Sequence, residues 1–168
     1  RYLKKAAENG KQVTVLVEWK ARFDEENNVH WAKELEHAGC HVIYGLVGLK
    51  THCKLALVVR RENEGIKRYM HMATGNYNDV TARLYTDMGL FTCNNEIGED
   101  ATIISTFLPA FSEPRSFPNL SFAHLAIEDY LLTRINKEFT PPKRGGKALF
   151  QSKLTRLPST TMSEKSLE

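Results

Sequence analysis

Long apolar runs are missing from this 168-residue chain. That excludes a membrane-spanning helix, which needs about 20 consecutive apolar residues. Cysteine is scarce as well. Cys40, Cys53 and Cys93 make an odd count without framework spacing, which argues against a disulfide scaffold and for a reducing, cytoplasmic setting. No excess of one charge sign exists: 23 Lys and Arg face 20 Asp and Glu, for a net +3 and a pI near 8.7. This mildly basic balance is compatible with an anionic ligand and does not demand one. An initiating Met is absent, and Arg1 runs straight into "RYLKKAAENG", an amphipathic helix rather than a signal peptide. The sequence therefore predicts a segment that begins inside a longer protein. His37, Cys40 and His41 lack the second ligand pair that a tetrahedral zinc site needs, and read as a helix end and a strand start.

What is present alternates between helix and strand. Residues 2–9 read as a helix stopped by Gly10, and 12–19, rich in β-branched side chains, as a strand buried on both faces. "ARFDEENN" (21–28) is a polar loop whose acids suit a helix N-terminus. Val29, Ala32, Leu35 and Ala38 follow at helical spacing, with Gly39 as the stop. Residues 41–46 form a short strand. This opening favours an α/β fold with a mixed sheet flanked by helices. Two further strands, 52–61 and 67–75, flank a turn in "ENEGI". Residues 76–87 are polar and then helix-like, 98–111 a helix, 112–120 a Pro-containing linker, 121–139 an amphipathic helix and 147–154 a strand.

Three segments offer side chains that could meet. His52 and Lys54 are two apart at the start of a strand, hence on one face. In a hairpin of 52–61 with 67–75, the start of the first strand lies beside the end of the second. That brings Gly75, Asn76 and Asn78 of "TGNYN" near His52 and Lys54. Gly75 allows close backbone approach, and the carboxamides and exposed N–H groups can donate to oxyanions. Arg22, in the loop after the first strand, falls at the same edge of the sheet. An imidazole among cations and amide donors suits attack on phosphorus, because neighbouring positive charge keeps a ring nitrogen unprotonated and stabilises the transferring group.

The H-x-K and G-N-x-N spacing resembles one half-motif of the phospholipase D superfamily, with Asn76 where Ser is usual. The acid that the superfamily carries beyond its Lys is absent, since "LALVV" stands there, and this argues against an ordinary phosphodiesterase. A closer resemblance runs from about Lys4 to Thr92. "ARFDEENN", "GLKTH", "TGNYN" and "RLYTD" are similar to bacterial polyphosphate kinases of the first type. The resemblance implies a phospholipase D-like catalytic half-domain over 1–111, then, past the linker, a truncated start of a second similar domain over 121–168. It implies reversible transfer of the terminal phosphate of ATP to polyphosphate through a phosphohistidine, with Mg2+ as cofactor and ATP, ADP and polyphosphate as partners, no nucleic acid being expected. It further implies a homo-oligomeric protein of the cytoplasm, with peripheral association at a membrane.

On that resemblance His52 matches the phosphorylated histidine, Tyr85 a nucleotide-contacting tyrosine and Arg22 an arginine at the magnesium site. Arginine has no lone pair to offer a metal, so Arg22 reads as a phosphate clamp beside the ion, with Asp24, Glu25 or Glu26 nearer to it. Lys54, Gly75, Asn76 and Asn78 are phosphate-binding candidates, and Arg83 is a weaker one. The superfamily builds its site from two half-motifs. No second H-x-K occurs here, because Ala73 follows His71 and Ala126 follows His124 at that spacing. Half a site, inactive alone, is the expectation. A phosphodiesterase half-domain and a non-catalytic polyanion-binding scaffold are the alternatives.

Overall fold

The computed structural model describes residues 1–18, 25–45, 50–110, 117–121 and 127–139. By internal contacts the chain divides into two compact units, Arg1–Pro114 and Arg115–Glu168.

The first unit begins with α1 (Tyr2–Glu8), β1 (Thr14–Val17), α2 (Glu25–His37) and β2 (His41–Tyr44). Gly10 and Gly39 end the two helices at φ values of 75° and 87°, a left-handed backbone that glycine adopts without a Cβ penalty. β1 and β2 pair in parallel, Thr14 opposite His41 through Val17 opposite Tyr44. α2 packs on β2 and buries Ala32 completely. A salt bridge from Lys4 Nζ to Glu34 Oε2, 2.7 Å long, ties α1 to α2. The buried Cys40 directs its thiol to the Leu3 carbonyl. His37 turns its Nδ1 to the Lys33 carbonyl within its own helix.

A three-stranded antiparallel sheet follows, in the order β3 (Lys54–Glu62), β4 (Gly65–Ala73), β5 (Gly89–Thr92). β3 meets β4 in unbroken register from Lys54–Ala73 to Glu62–Gly65, around the two-residue turn Asn63–Glu64. One face of this sheet takes α3 (Asn95–Ala110). Gly98 sits so close to β4 that an added Cβ would lie 3.0 Å from the Arg68 side chain. Arg68 Nε in turn donates to Thr102 Oγ1 at 3.0 Å. Met70, Ala101 and Ile104 form the buried core there. Since cross-strand partners share a face, the opposite face carries Lys54, Ala56, Val58, Tyr69, His71 and Phe91, the last 82% exposed.

In the second unit α4 (Ile127–Phe139) buries Ile135 and leaves Tyr130 exposed under Arg134. Residues 117–121 are irregular. Of the expected 121–139 helix, residue 121 is irregular and residues 122–126 lie outside the described residues, as does the expected strand 147–154.

Several expectations shift. β1 is half-buried rather than buried on both faces, and among the described residues it pairs only with β2. Parallel and antiparallel pairing both occur among the described residues, but in separate sheets. The helix expected within 76–87 is a single 3-10 turn, Thr81–Arg83. β5 went unread. α3 begins three residues early, where Asn94 Oδ1 caps the Ile97 N–H at 3.0 Å.

Met70, 3% exposed, anchors α3 to the sheet. Met70→Ala is expected to lower unfolding free energy by about 2–3 kcal/mol, seen as a lower denaturant midpoint at constant slope.

Candidate active site

The chemistry-bearing residues gather at one end of the antiparallel sheet. Residues 50–53 approach β3 without regular structure, so His52 sits just ahead of the strand while Lys54 is its first residue. His52 is exposed and Lys54 half-buried. Lys54 Nζ lies 3.1 Å from His52 Nδ1 and also donates to the His52 carbonyl oxygen. An ammonium has no lone pair to accept with, so Nδ1 is the acceptor, and the neutral imidazole carries its proton on Nε2. The Lys54 charge first, then burial, then Lys50 hold the His52 imidazole below the usual histidine range. Burial likewise lowers Lys54, with Cys53 and Asp87 opposing and Lys50 assisting.

Opposite stands the turn after β4. Lys54 pairs with Ala73, so the chain leaves β4 beside the His52 segment and enters Thr74–Asn78. Gly75 is where a side chain would not fit: its Cβ would fall 2.5 Å from Asp87 Cγ and 2.9 Å from Asp87 Cβ. Asp87 Oδ1 accepts from Thr74 Oγ1 at 2.9 Å. Met88 N–H donates to Thr74 Oγ1 at 3.0 Å, and Thr74 N–H to the Met88 carbonyl at 3.0 Å. Asp87 thus braces the turn and adds negative charge near Lys54.

Asn78 is committed locally. Its Oδ1 accepts from the Val80 and Thr81 N–H groups at 3.0 and 2.9 Å, capping the 3-10 turn. Asn76 is exposed. Tyr77, between them, folds back onto the sheet, with Oη 2.8 Å from His71 Nδ1. The His71 ring stacks on Phe91 at 4.3 Å between centroids.

Tyr85 lies just past the 3-10 turn, 69% exposed, and its N–H bonds to the Thr81 carbonyl. Arg83 is exposed. Arg22 and Asp24 lie outside the described residues. Glu25 and Glu26 are exposed in the first turn of α2, as dipole partners of that helix. Among the described residues no three His, Cys, Asp or Glu side chains converge as a metal cage.

Sequence reasoning missed three contributors: Asp87, the His71–Tyr77 pair, and Glu18, whose Oε2 accepts the Thr51 N–H at 2.9 Å. Asp87 belongs to "RLYTD", where its charge is visible in the sequence. Its contact with Gly75 is not.

These elements define an α/β protein of the phospholipase D-like class. Crystallised polyphosphate kinase from Porphyromonas gingivalis superposes with a TM-score of 0.71 at 36% identity, over 85% of this chain and 24% of that one. Residues 1–114 match the family described as polyphosphate kinase C-terminal domain 1. The polyphosphate kinase of Lactiplantibacillus plantarum is 62% identical over 157 residues, covering 94% of this chain and 22% of that protein. That of Staphylococcus epidermidis is 52% identical over 166 residues, covering 99% and 23%. The chain belongs to the polyphosphate kinase family and spans less than a quarter of the length of these relatives.

Two measurements probe the site. Because Lys54 is the first cause of the depressed His52 proton affinity, Lys54→Met is expected to move the His52 NMR titration midpoint upward. An unmoved midpoint contradicts the assigned contact. Gly75→Ala is expected to cost about 1–3 kcal/mol by overpacking against Asp87, and adding Asp87→Gly should recover most of the loss in thermal unfolding.

Proposed function

We propose that this chain is a catalytic half-domain, with the start of the next domain, of a kinase that moves the terminal phosphate of ATP reversibly onto polyphosphate. His52 is the nucleophile. The observation that carries the reading is the β3–β4 register, Lys54 opposite Ala73, which sets an exposed imidazole and an ammonium against the Gly75–Asn78 turn in a chain of this family.

In the resting arrangement the free lone pair of His52 is on Nδ1 and is engaged by Lys54. An incoming phosphate draws Lys54 Nζ onto its oxygens, since a charge-assisted bond to an anion is stronger than one to a neutral ring. The imidazole is then free to attack in either tautomer. A nitrogen–phosphorus bond forms as the bond from the γ-phosphorus to the bridging oxygen breaks. ADP leaves with that electron pair, and the proton on the other ring nitrogen passes to solvent. The phosphoryl group next moves to a terminal oxygen of polyphosphate, which splits the transfer into two smaller barriers. Lys54 neutralises developing charge. Asn76 and the backbone N–H groups near Gly75 orient the oxygens, while Asn78 shapes the turn that carries them.

Tyr85 offers an exposed ring to the nucleotide base. Arg22 clamps phosphate. Mg2+ is assigned to the phosphates of the nucleotide rather than to a protein cage, and no step here depends on it. A cytoplasmic, homo-oligomeric protein that associates peripherally with membrane completes the reading; no described helix is long and apolar enough to cross a bilayer.

With no second H-x-K in the sequence, the chain alone is expected to make no polyphosphate from ATP. Carried in a full-length family enzyme, it is expected to take acid-labile label from γ-labelled ATP at His52 and to lose it in His52→Ala. Label that survives this substitution sinks the assignment. As His52 titrates below ordinary histidine, labelling should persist to lower pH than an unperturbed imidazole permits and fall only as pH drops through the depressed value. Binding that weakens steeply with salt, with no saturable nucleotide site, marks the polyanion scaffold instead.

A further inference from the structure

His52 stands on backbone that belongs to no strand or helix, so its aim depends on what holds residues 50–53. Lys54 is one restraint, but on the reading above it is the one that substrate draws away. A second restraint comes from far along the chain. The Thr51 N–H donates to Glu18 Oε2 at 2.9 Å across 33 residues. Glu18 follows the last residue of β1 and is itself located, because Asn28 Nδ2 of α2 donates to its carbonyl at 3.1 Å. The bond therefore ties the β1–β2 layer to the segment that feeds β3, one residue from the imidazole.

One feature indicates that the position of Thr51 is imposed from outside: among the described residues its hydroxyl is buried without a hydrogen-bond partner, a cost that a loop free to relax would avoid.

We infer that Glu18 is a positioning residue for His52, fixing the Thr51 N–H so that the imidazole keeps its direction when Lys54 turns to phosphate. This rests on the phosphohistidine reading for its catalytic consequence and on geometry alone for the anchor. Glu18 acts through backbone, so an uncharged acceptor should serve: Glu18→Gln retains a carbonyl oxygen, and Glu18→Ala does not.

Amide exchange of residues 50–54 in this chain reads the anchor directly. Glu18→Ala is expected to speed exchange at Thr51 by about tenfold or more, with Glu18→Gln near the parent. In the full-length enzyme carrying the segment, Glu18→Ala should slow phosphorylation of His52 by about ten- to a hundredfold with KM for ATP little changed, since a small misplacement of a reacting group costs on that order. Glu18→Gln should restore the rate. Parent-like exchange and labelling in Glu18→Ala overturn the inference, as does equal impairment of both variants, which assigns the effect to charge. A parent enzyme that takes no label at His52 sinks the phosphohistidine reading, while the exchange comparison still decides the anchor.

Discussion

β3 and β4 are locked together over nine residue pairs, and that register governs everything at the candidate site. Side chains alternate across a strand, so a slip of one residue would turn Lys54 toward α3 and bring Leu55 to the open face. The buried side resists such a slip, because Met70 is packed under α3 and Arg68 is bonded to Thr102. Core packing on one face of the hairpin thereby sets the chemistry on the other. β5 extends the same control, since its start delivers Asp87 and Met88 to Thr74 and Gly75.

Electrostatically the site gathers cations and offsets them at its border. Lys50, His52 and Lys54 lie within five residues, and the Lys54 charge, then burial, then Lys50 lower the proton affinity of the imidazole. The acid that related motifs carry further along the same strand is missing here. Asp87 stands near Lys54 from the segment just ahead of β5, and Glu18 meets the backbone one residue before His52. Both carboxylates accept protein donors, Asp87 from the Thr74 hydroxyl and Glu18 from the Thr51 N–H.

The turn residues divide the labour. Tyr77 reaches back to His71, Asn78 caps the short helix and Thr74 joins Asp87, which leaves Asn76 exposed between fixed neighbours. Hairpin geometry read from the sequence offers Gly75, Asn76 and Asn78 alike as phosphate-binding candidates. The coordinates separate the residues that hold the turn from the one that it presents.

Much of this was legible in the residues. Periodicity and glycine stops located α1, α2 and the β3–β4 hairpin to within a few positions, because apolar spacing and turn chemistry are local properties. That the segment before β3 lies beside "TGNYN" followed from antiparallel geometry, whereas His52 sits ahead of β3 and meets Lys54 through a side-chain contact that strand alternation does not describe. β5 was not legible: "GLFT" is four residues long with an exposed Phe91, and such an edge strand exists only because β4 offers it hydrogen bonds. The burial of β1 was misjudged as well, since a β-branched run does not reveal what will cover the two faces of the strand. Sequence by itself determined the kinds of group available, namely an imidazole, ammonium groups, carboxamides and a glycine that admits close approach. Tertiary structure alone decided that Asp87 fills the space above Gly75 and that Glu18 holds Thr51 from 33 residues away, because contacts across such separations are chosen by packing and leave no pattern along the chain.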